Sequence, residues 1–216
     1  MVAHSSRPTA PGRRHRVSVS LAGTLAALTL AAFSGVLPLA SAQAAGAATC
    51  PSVTLSQPFL QWGDSNSYAL VPGGDFEGSL SGWSLSGGAA RVAGSESYAV
   101  TGTLGSSSLA LPAGASVQSP FMCVSASDQT FRFFARSEGT AATVRAQVVY
   151  ETPVGNLAIP VGTISPNVAW APTAALQTGV ALASWLSNGT AQLALRFTSL
   201  SGSARIDDVF IDPRRR

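Results

Sequence analysis

Lysine is absent from the 216-residue chain, and its two histidines, His4 and His15, both stand within the first sixteen residues. Beyond that point there is no imidazole and no amine side chain. A Ser/His/Asp or Cys/His triad, a His-ligated zinc site and a Schiff-base lysine are therefore excluded from the body of the protein. Charge is scarce too, with Asp, Glu, Lys and Arg together making up 11% of the residues.

What charge there is begins unevenly. Arg7, Arg13, Arg14 and Arg16 precede any acid, an Ala/Leu-rich run follows from Val17 to Leu37, and Ala40, Ser41 and Ala42 form a small-residue cleavage pattern after Pro38. This order reads as a secretion signal peptide over residues 1–42, rather than an uncleaved anchor. Without those four arginines the thirteen fall to nine against ten acids, so the processed chain has a net charge near −1. No basic stripe remains, so neither nucleic acid nor, after signal cleavage, a membrane surface is an expected partner. Residues 43–49 form an Ala/Gly-rich lead-in, and Arg214, Arg215 and Arg216 a short basic tail.

Cys50 and Cys123 are the only cysteines. In an exported protein such a pair predicts a disulfide. The rival, a lipid-modified Cys50, finds little support in the preceding Ala47, Ala48 and Thr49, which do not form a lipid-attachment box.

From residue 50 onward the hydrophobic pattern has period two. "TFRFFARS" sets Phe131, Phe133 and Ala135 against Arg132, Phe134 and Arg136; "TVRAQVVYE" sets Val144, Ala146, Val148 and Tyr150 against Arg145, Gln147 and Glu151; "AQLALRFTSL" sets Leu193, Leu195 and Phe197 against Gln192, Arg196 and Thr198. Such alternation marks half-buried antiparallel strands. Further short apolar runs, including Val117–Val124 and Ala174–Leu182, are punctuated by Gly, Ser, Pro and Asn. About ten strands at this spacing predict one all-β sandwich domain over residues 50–213.

"GGDFEGSLSGW", from Gly73 to Trp83, and "ARIDDVFID", near the C-terminus, resemble the first and last strand motifs of jelly-roll carbohydrate-binding modules of the galactose-binding-like superfamily. Asp75, Phe76, Glu77, Gly82 and Trp83 match that family's opening "NGDFE-G-L-GW", and Ile206, Asp207, Asp208 and Val209 match its closing "LDDV". Trp170 in "VAWAPTAALQ" and the later "GTAQLALRF" fit between them, so the resemblance spans about Pro72 to Asp212. It departs at Gly73, where the family has Asn, and leaves the piece from Cys50 to Val71 uncovered.

The resemblance implies a jelly roll of two antiparallel sheets. It also implies a structural calcium ion held by Glu77 and Asp207, with Asp208 and Asp75 behind them, since Ca²⁺ is a hard cation that takes six to eight oxygens. The alternative reading makes these acids caps for turns or backbone amides. As a catalytic pair Asp207 and Asp208 fail, because sequential side chains on a strand diverge.

Sugar binding calls for flat rings beside polar partners. Trp62, Tyr68, Tyr98 and Trp185 lie in Gly/Ser/Asn-rich surroundings and are the candidate ligand platform, whereas Trp83, Trp170 and Tyr150 read as core. The expected function is that of a secreted, non-catalytic module with carbohydrate as partner. The alternative is a cell-surface structural or protein-interaction protein of the same fold.

Overall fold

The computed structural model describes residues 49–180 and 189–213. The predicted signal peptide, most of the predicted lead-in, Trp185 and residues 214–216 lie outside the described residues. Among the described residues no helix is long and apolar enough to cross a membrane.

Two strands organise the molecule. β7 (Thr130–Thr152) and β11 (Thr190–Asp212) pair antiparallel along nearly their whole lengths and bend together, so one eleven-stranded sheet folds over into two layers. In the first layer the C-terminal half of β11 carries β4 (Ser107–Leu111), which pairs with β3 (Ala90–Ala93), and also β1 (Ala69–Leu70); the N-terminal half of β7 carries β9 (Ala171–Pro172) and β10 (Leu176–Gln177). The second layer takes the other halves, with β5 (Ser116–Gln118) and β6 (Met122–Ser125) on β11, β2 (Ser84–Ser86) on β5, and β8 (Gly155–Ile164) on β7. This is an all-β jelly-roll sandwich: the alternating pattern predicts the sandwich, and the resemblance implies the jelly roll.

The bend has a sequence signature that alternation alone does not show. Phe131, Phe133 and Ala135 point inward at odd positions of β7, yet Val144, Ala146, Val148 and Tyr150 do so at even ones; β11 changes likewise between Phe197 and Ala204. Irregular register between Ser199 and Ser203 absorbs the change. A side-chain period of two can switch faces only where extra residues interrupt the ladder. As a result, residues of both strand halves meet in one core with Leu109, Leu111, Val117 and Val124.

Two predicted runs differ in extent. Val117–Val124 is split into β5 and β6 around Pro120, which has no N–H for a ladder. Of Ala174–Leu182, only Leu176 and Gln177 are paired within the described residues.

The piece between Cys50 and Val71 is an integral part of the fold. Phe59 and Tyr68 cover the outer face of the first layer, where they form a second apolar cluster with Phe134 and Phe210. The Phe59 ring lies 5.6 Å from both Phe134 and Phe210 and 4.9 Å from Tyr68. Burying each such ring stabilises by roughly 1.5–3 kcal/mol. Above Phe59 sits the Arg132 guanidinium, 4.3 Å from the ring centroid, which is paired to Asp64 at 2.7 Å. At the start of this piece Cys50 is bonded to Cys123, as expected, with Cα atoms 5.4 Å apart.

"GGDFEGSLSGW" forms the seam with the last strand. Val71 N–H donates to Val209 O and Val209 N–H donates to Gly74 O, at 2.9 and 3.0 Å. These bonds enter where β11 departs from its register between Asp207 and Phe210. Phe76 and Trp83 turn into the core with ring centroids 5.0 Å apart, and Trp83 Nε1–H donates to Pro72 O at 2.9 Å.

Candidate functional site

The short 3₁₀ helix Leu60–Trp62 and the loop after β3 stand side by side over Phe134. Trp62 from the helix meets Tyr98 from the loop at 4.9 Å, with planes 88° apart. Edge-to-face contact of this kind fixes both rings. The Tyr98 hydroxyl donates to Trp170 O at 2.9 Å, yet the residue stays 40% exposed. Beside it lies an open depression of about 320 Å³ whose lining includes Gln57, Leu60, Gln61 and Val100. Two of the four predicted platform aromatics thus come together.

Tyr68 is a correction. It is 1% exposed, packed on Phe59, and its hydroxyl donates to Asp64 Oδ2 at 2.7 Å. No sugar ring can stack on it. Burial, and next the hydrogen bond to and negative charge of Asp64, push its pKa far above the usual phenol range. The polar surroundings in sequence misled because the segment folds back on the first layer. Trp185 lies outside the described residues. Trp83 and Tyr150 are buried as expected; Trp170 is only partly so and backs the second cluster.

The loop bearing Tyr98 hangs from buried carboxylates. Glu96, 1% exposed, accepts the Tyr98 N–H at Oε2 and the Val100 N–H at Oε1. Its own N–H donates to Asp207 Oδ2 at 2.8 Å, which also accepts from Ser95 Oγ at 2.8 Å; Asp207 Oδ1 accepts the Asp208 N–H. Sequence reasoning missed Glu96, because "GSESY" carries only the polar composition of a surface loop.

The predicted metal carboxylates do not form one set. Asp208 faces Glu96, while Glu77 turns to the start of β4 and accepts from Ser106 N, Ser106 Oγ and Ser107 N, each at 2.7 Å. Among the described residues no group of three or more His, Cys, Asp or Glu is spaced to hold a metal ion. Ser95, which donates to Asp207, and Glu77 both border a cradle at Gly105. A Cβ there would lie 2.5 Å from Ser95 Oγ and 2.6 Å from Glu77 Oε1. Only glycine leaves this room.

Electrostatically the two ends of the cradle differ. Burial raises the Glu77 pKa, but the Ser106 hydroxyl, the two amides and Arg91 outweigh it and hold the carboxyl below its ordinary range. Burial pushes Asp207 up to about 7 against its three donors, and burial together with Asp207, Glu96 and Asp75 pushes Asp208 up to about 8. Asp207 is thus buried with both oxygens accepting protein hydrogen bonds, whereas Glu77 is exposed and held by the Ser106 and Ser107 donors.

Comparison with known proteins finds no matching family model and no matching curated protein. Similar solved structures do exist. The first is the Clostridium thermocellum xylanase 10B comprising its CBM22-1 and GH10 modules, complexed with xylohexaose: 16% identity and TM-score 0.44 over 66% of this chain, but only 28% of that one. The CBM22-1 xylan-binding domain of Paenibacillus barcinonensis Xyn10C shows 16% identity and TM-score 0.41, over 66% of this chain and 92% of that domain. A family 11 carbohydrate-binding module of C. thermocellum, in complex with a mixed-linked tetrasaccharide, shows 14% identity and TM-score 0.43, over 64% and 92%. At these scores the likenesses assign no residue a role.

Proposed function

We propose that this protein is an exported, non-catalytic carbohydrate-binding module that stacks a sugar ring on Tyr98. The observation that carries this reading is the exposed Tyr98 ring, braced edge-on by Trp62 at the rim of a depression bordered by Gln57 and Gln61. An indole-braced phenol supplies the flat apolar surface that a pyranose face needs, and the two amides supply partners for its hydroxyls. The disulfide supports export, since such bonds persist in oxidising compartments. Purified protein is expected to be retained on insoluble or gel-embedded neutral polysaccharides, with Tyr98→Ala losing most of that retention while still melting cooperatively, at a temperature lowered only by the loss of its Trp62, Phe134 and Trp170 contacts. A panel showing no retention by wild type, with and without Ca²⁺, sinks the reading.

Calcium belongs to the same proposal as a structural ion. To hold it, Glu77 and Asp207 would have to exchange the Ser106, Ser107, Ser95 and Glu96 donors they now engage for the ion, with main-chain carbonyls completing the shell, and its charge would offset the buried Asp207 and Asp208. It would fasten the first motif to the last strand.

One observation favours the second reading, a protein-interaction role at the cell surface. β8 is an edge strand on β7 with exposed Leu157 and Ile159, next to a fully exposed Val154. Edges of this kind recruit other chains. Purification of a stoichiometric protein partner, lost in Ile159→Lys, would support it.

A further inference from the structure

The outer face of the second layer is polar and cationic, and it lies on different strands from the Tyr98 depression. Register aligns Ser84, Gln118, Arg196 and Gln147 in one row across β2, β5, β11 and β7. The next row aligns Ser116, Thr198, Arg145 and Thr163 across β5, β11, β7 and β8. These side chains face outward because their neighbours in sequence, Val117, Leu195, Phe197, Ala146 and Val144, fill the core.

Arg145 and Arg196 occupy diagonal positions on adjacent strands, about 7–8 Å apart at the backbone. Arg196 donates from Nε and Nη2 to Gln118 Oε1, at 3.1 and 2.7 Å, which occupies one edge of its fork and leaves a second edge. Arg145 Nε is enclosed and, among the described residues, has no hydrogen-bond partner. Neither row contains a carboxylate; Glu151 stands on the same face of β7 farther along, opposite Asn156. A depression of about 320 Å³ opens over Ser84, Ser86, Ser116, Gln118 and Arg196.

We propose that this face is a second binding surface, for an acidic polysaccharide whose uronate carboxylates pair with Arg145 and Arg196. A guanidinium fork matches a carboxylate in a way that a point charge does not, and charge-assisted bonds of this type are about twice as strong as neutral ones. The hydroxyls and amides that flank the two arginines suit ring hydroxyls. Nucleic acid is the poorer fit. Single strands need aromatic platforms and duplexes several phosphate contacts, whereas these rows hold no aromatic ring and two cations.

The test uses the full chain with polygalacturonate as probe, and xylan, dextran sulfate and a single-stranded oligonucleotide as comparisons. Wild type is expected to bind polygalacturonate at low salt, and to weaken as salt is raised. Arg145→Gln and Arg196→Gln are each expected to lower that affinity about tenfold, the loss of one good charge-assisted contact. Tyr98→Ala should leave it unchanged, so this surface and the Tyr98 platform stand or fall separately. Thermal melts check that each variant folds. If Arg196→Gln disturbs the Gln118 pairing and unfolds the protein, Arg145→Gln alone decides. No binding of polygalacturonate by wild type overturns the proposal, as does undiminished binding by Arg145→Gln. Equal affinity for dextran sulfate or the oligonucleotide also overturns it, by showing general polyanion attraction.

Discussion

Val209 N–H donates to Gly74 O at 3.0 Å, and a Cβ added to Gly74 would sit 2.9 Å from Val209 O. The last strand is therefore pressed against a position that has room only for glycine. Val71 O lies equally near, at 2.9 Å. Gly74→Ala should destabilise the protein by about 1–3 kcal/mol, the range for inserting a carbon into a packed site. A denaturant melt reads the effect, and a midpoint within error of wild type would show that the seam can open without cost.

Acid should loosen the N-terminal piece. Burial raises the Asp64 pKa, but Tyr68, the Asn66 amide and Arg132 more than reverse this, so the net shift is downward. A carboxylate depressed in the folded state contributes stability above its unfolded pKa and loses it as pH falls through the folded value. Urea midpoints should therefore fall below about pH 4, with a shallower slope in Asp64→Asn. Identical slopes would remove Asp64 from the acid response.

Alkali should act at the other end. Asp207 and Asp208, pushed up to about 7 and about 8, keep protons that the unfolded chain has already released. Their contribution is present below pH 4 and is lost as pH rises through those values. In chelator the melting temperature should decline between pH 5 and 8.5, and Ca²⁺ should raise it more at pH 8.5 than at pH 5. A calcium response equal at both pH values, or absent from both, would detach the ion from these carboxylates.

Breaking the Cys50–Cys123 bond, which closes 73 residues of sequence separation, should cost about 4 kcal/mol on the chain-entropy account. The paired Cys50→Ser, Cys123→Ser variant avoids leaving one thiol behind. A loss well under 1 kcal/mol would mean that the unfolded chain is already restrained.

Alternation in "TFRFFARS" and "AQLALRFTSL" was enough to read the strands, and the resemblance carried by the two end motifs implied the jelly roll. What alternation could not show is whether an outward side chain remains outside. Phe134 sits on the face opposite Phe131 and Phe133, yet it is fully buried, because Phe59 comes from seventy-five residues earlier to cover it. Tyr68 is buried for the same reason. Glu96 was illegible as an interior acid, since its burial depends on Asp207, 111 positions away, receiving its N–H. Trp62 and Tyr98 were legible as rings in polar segments; their contact was not, being made by two segments that are joined only through the sheet beneath them. Arg145 and Arg196 read simply as the wet side of two strands, and only register reveals them as diagonal neighbours.

The disulfide also sets how the protein would carry tension. A pull on the chain ahead of Cys50 passes across the sulfur bridge into β6, which is hydrogen-bonded to the start of β11. The stretch between the cysteines, a sequence separation of 73, with its Phe59 cap, its Tyr98 loop and the seam at Gly74, is bypassed by the load. Stretched to rupture, the oxidised protein would lengthen by about 250 Å less than the reduced one, at roughly 3.4 Å per withheld residue.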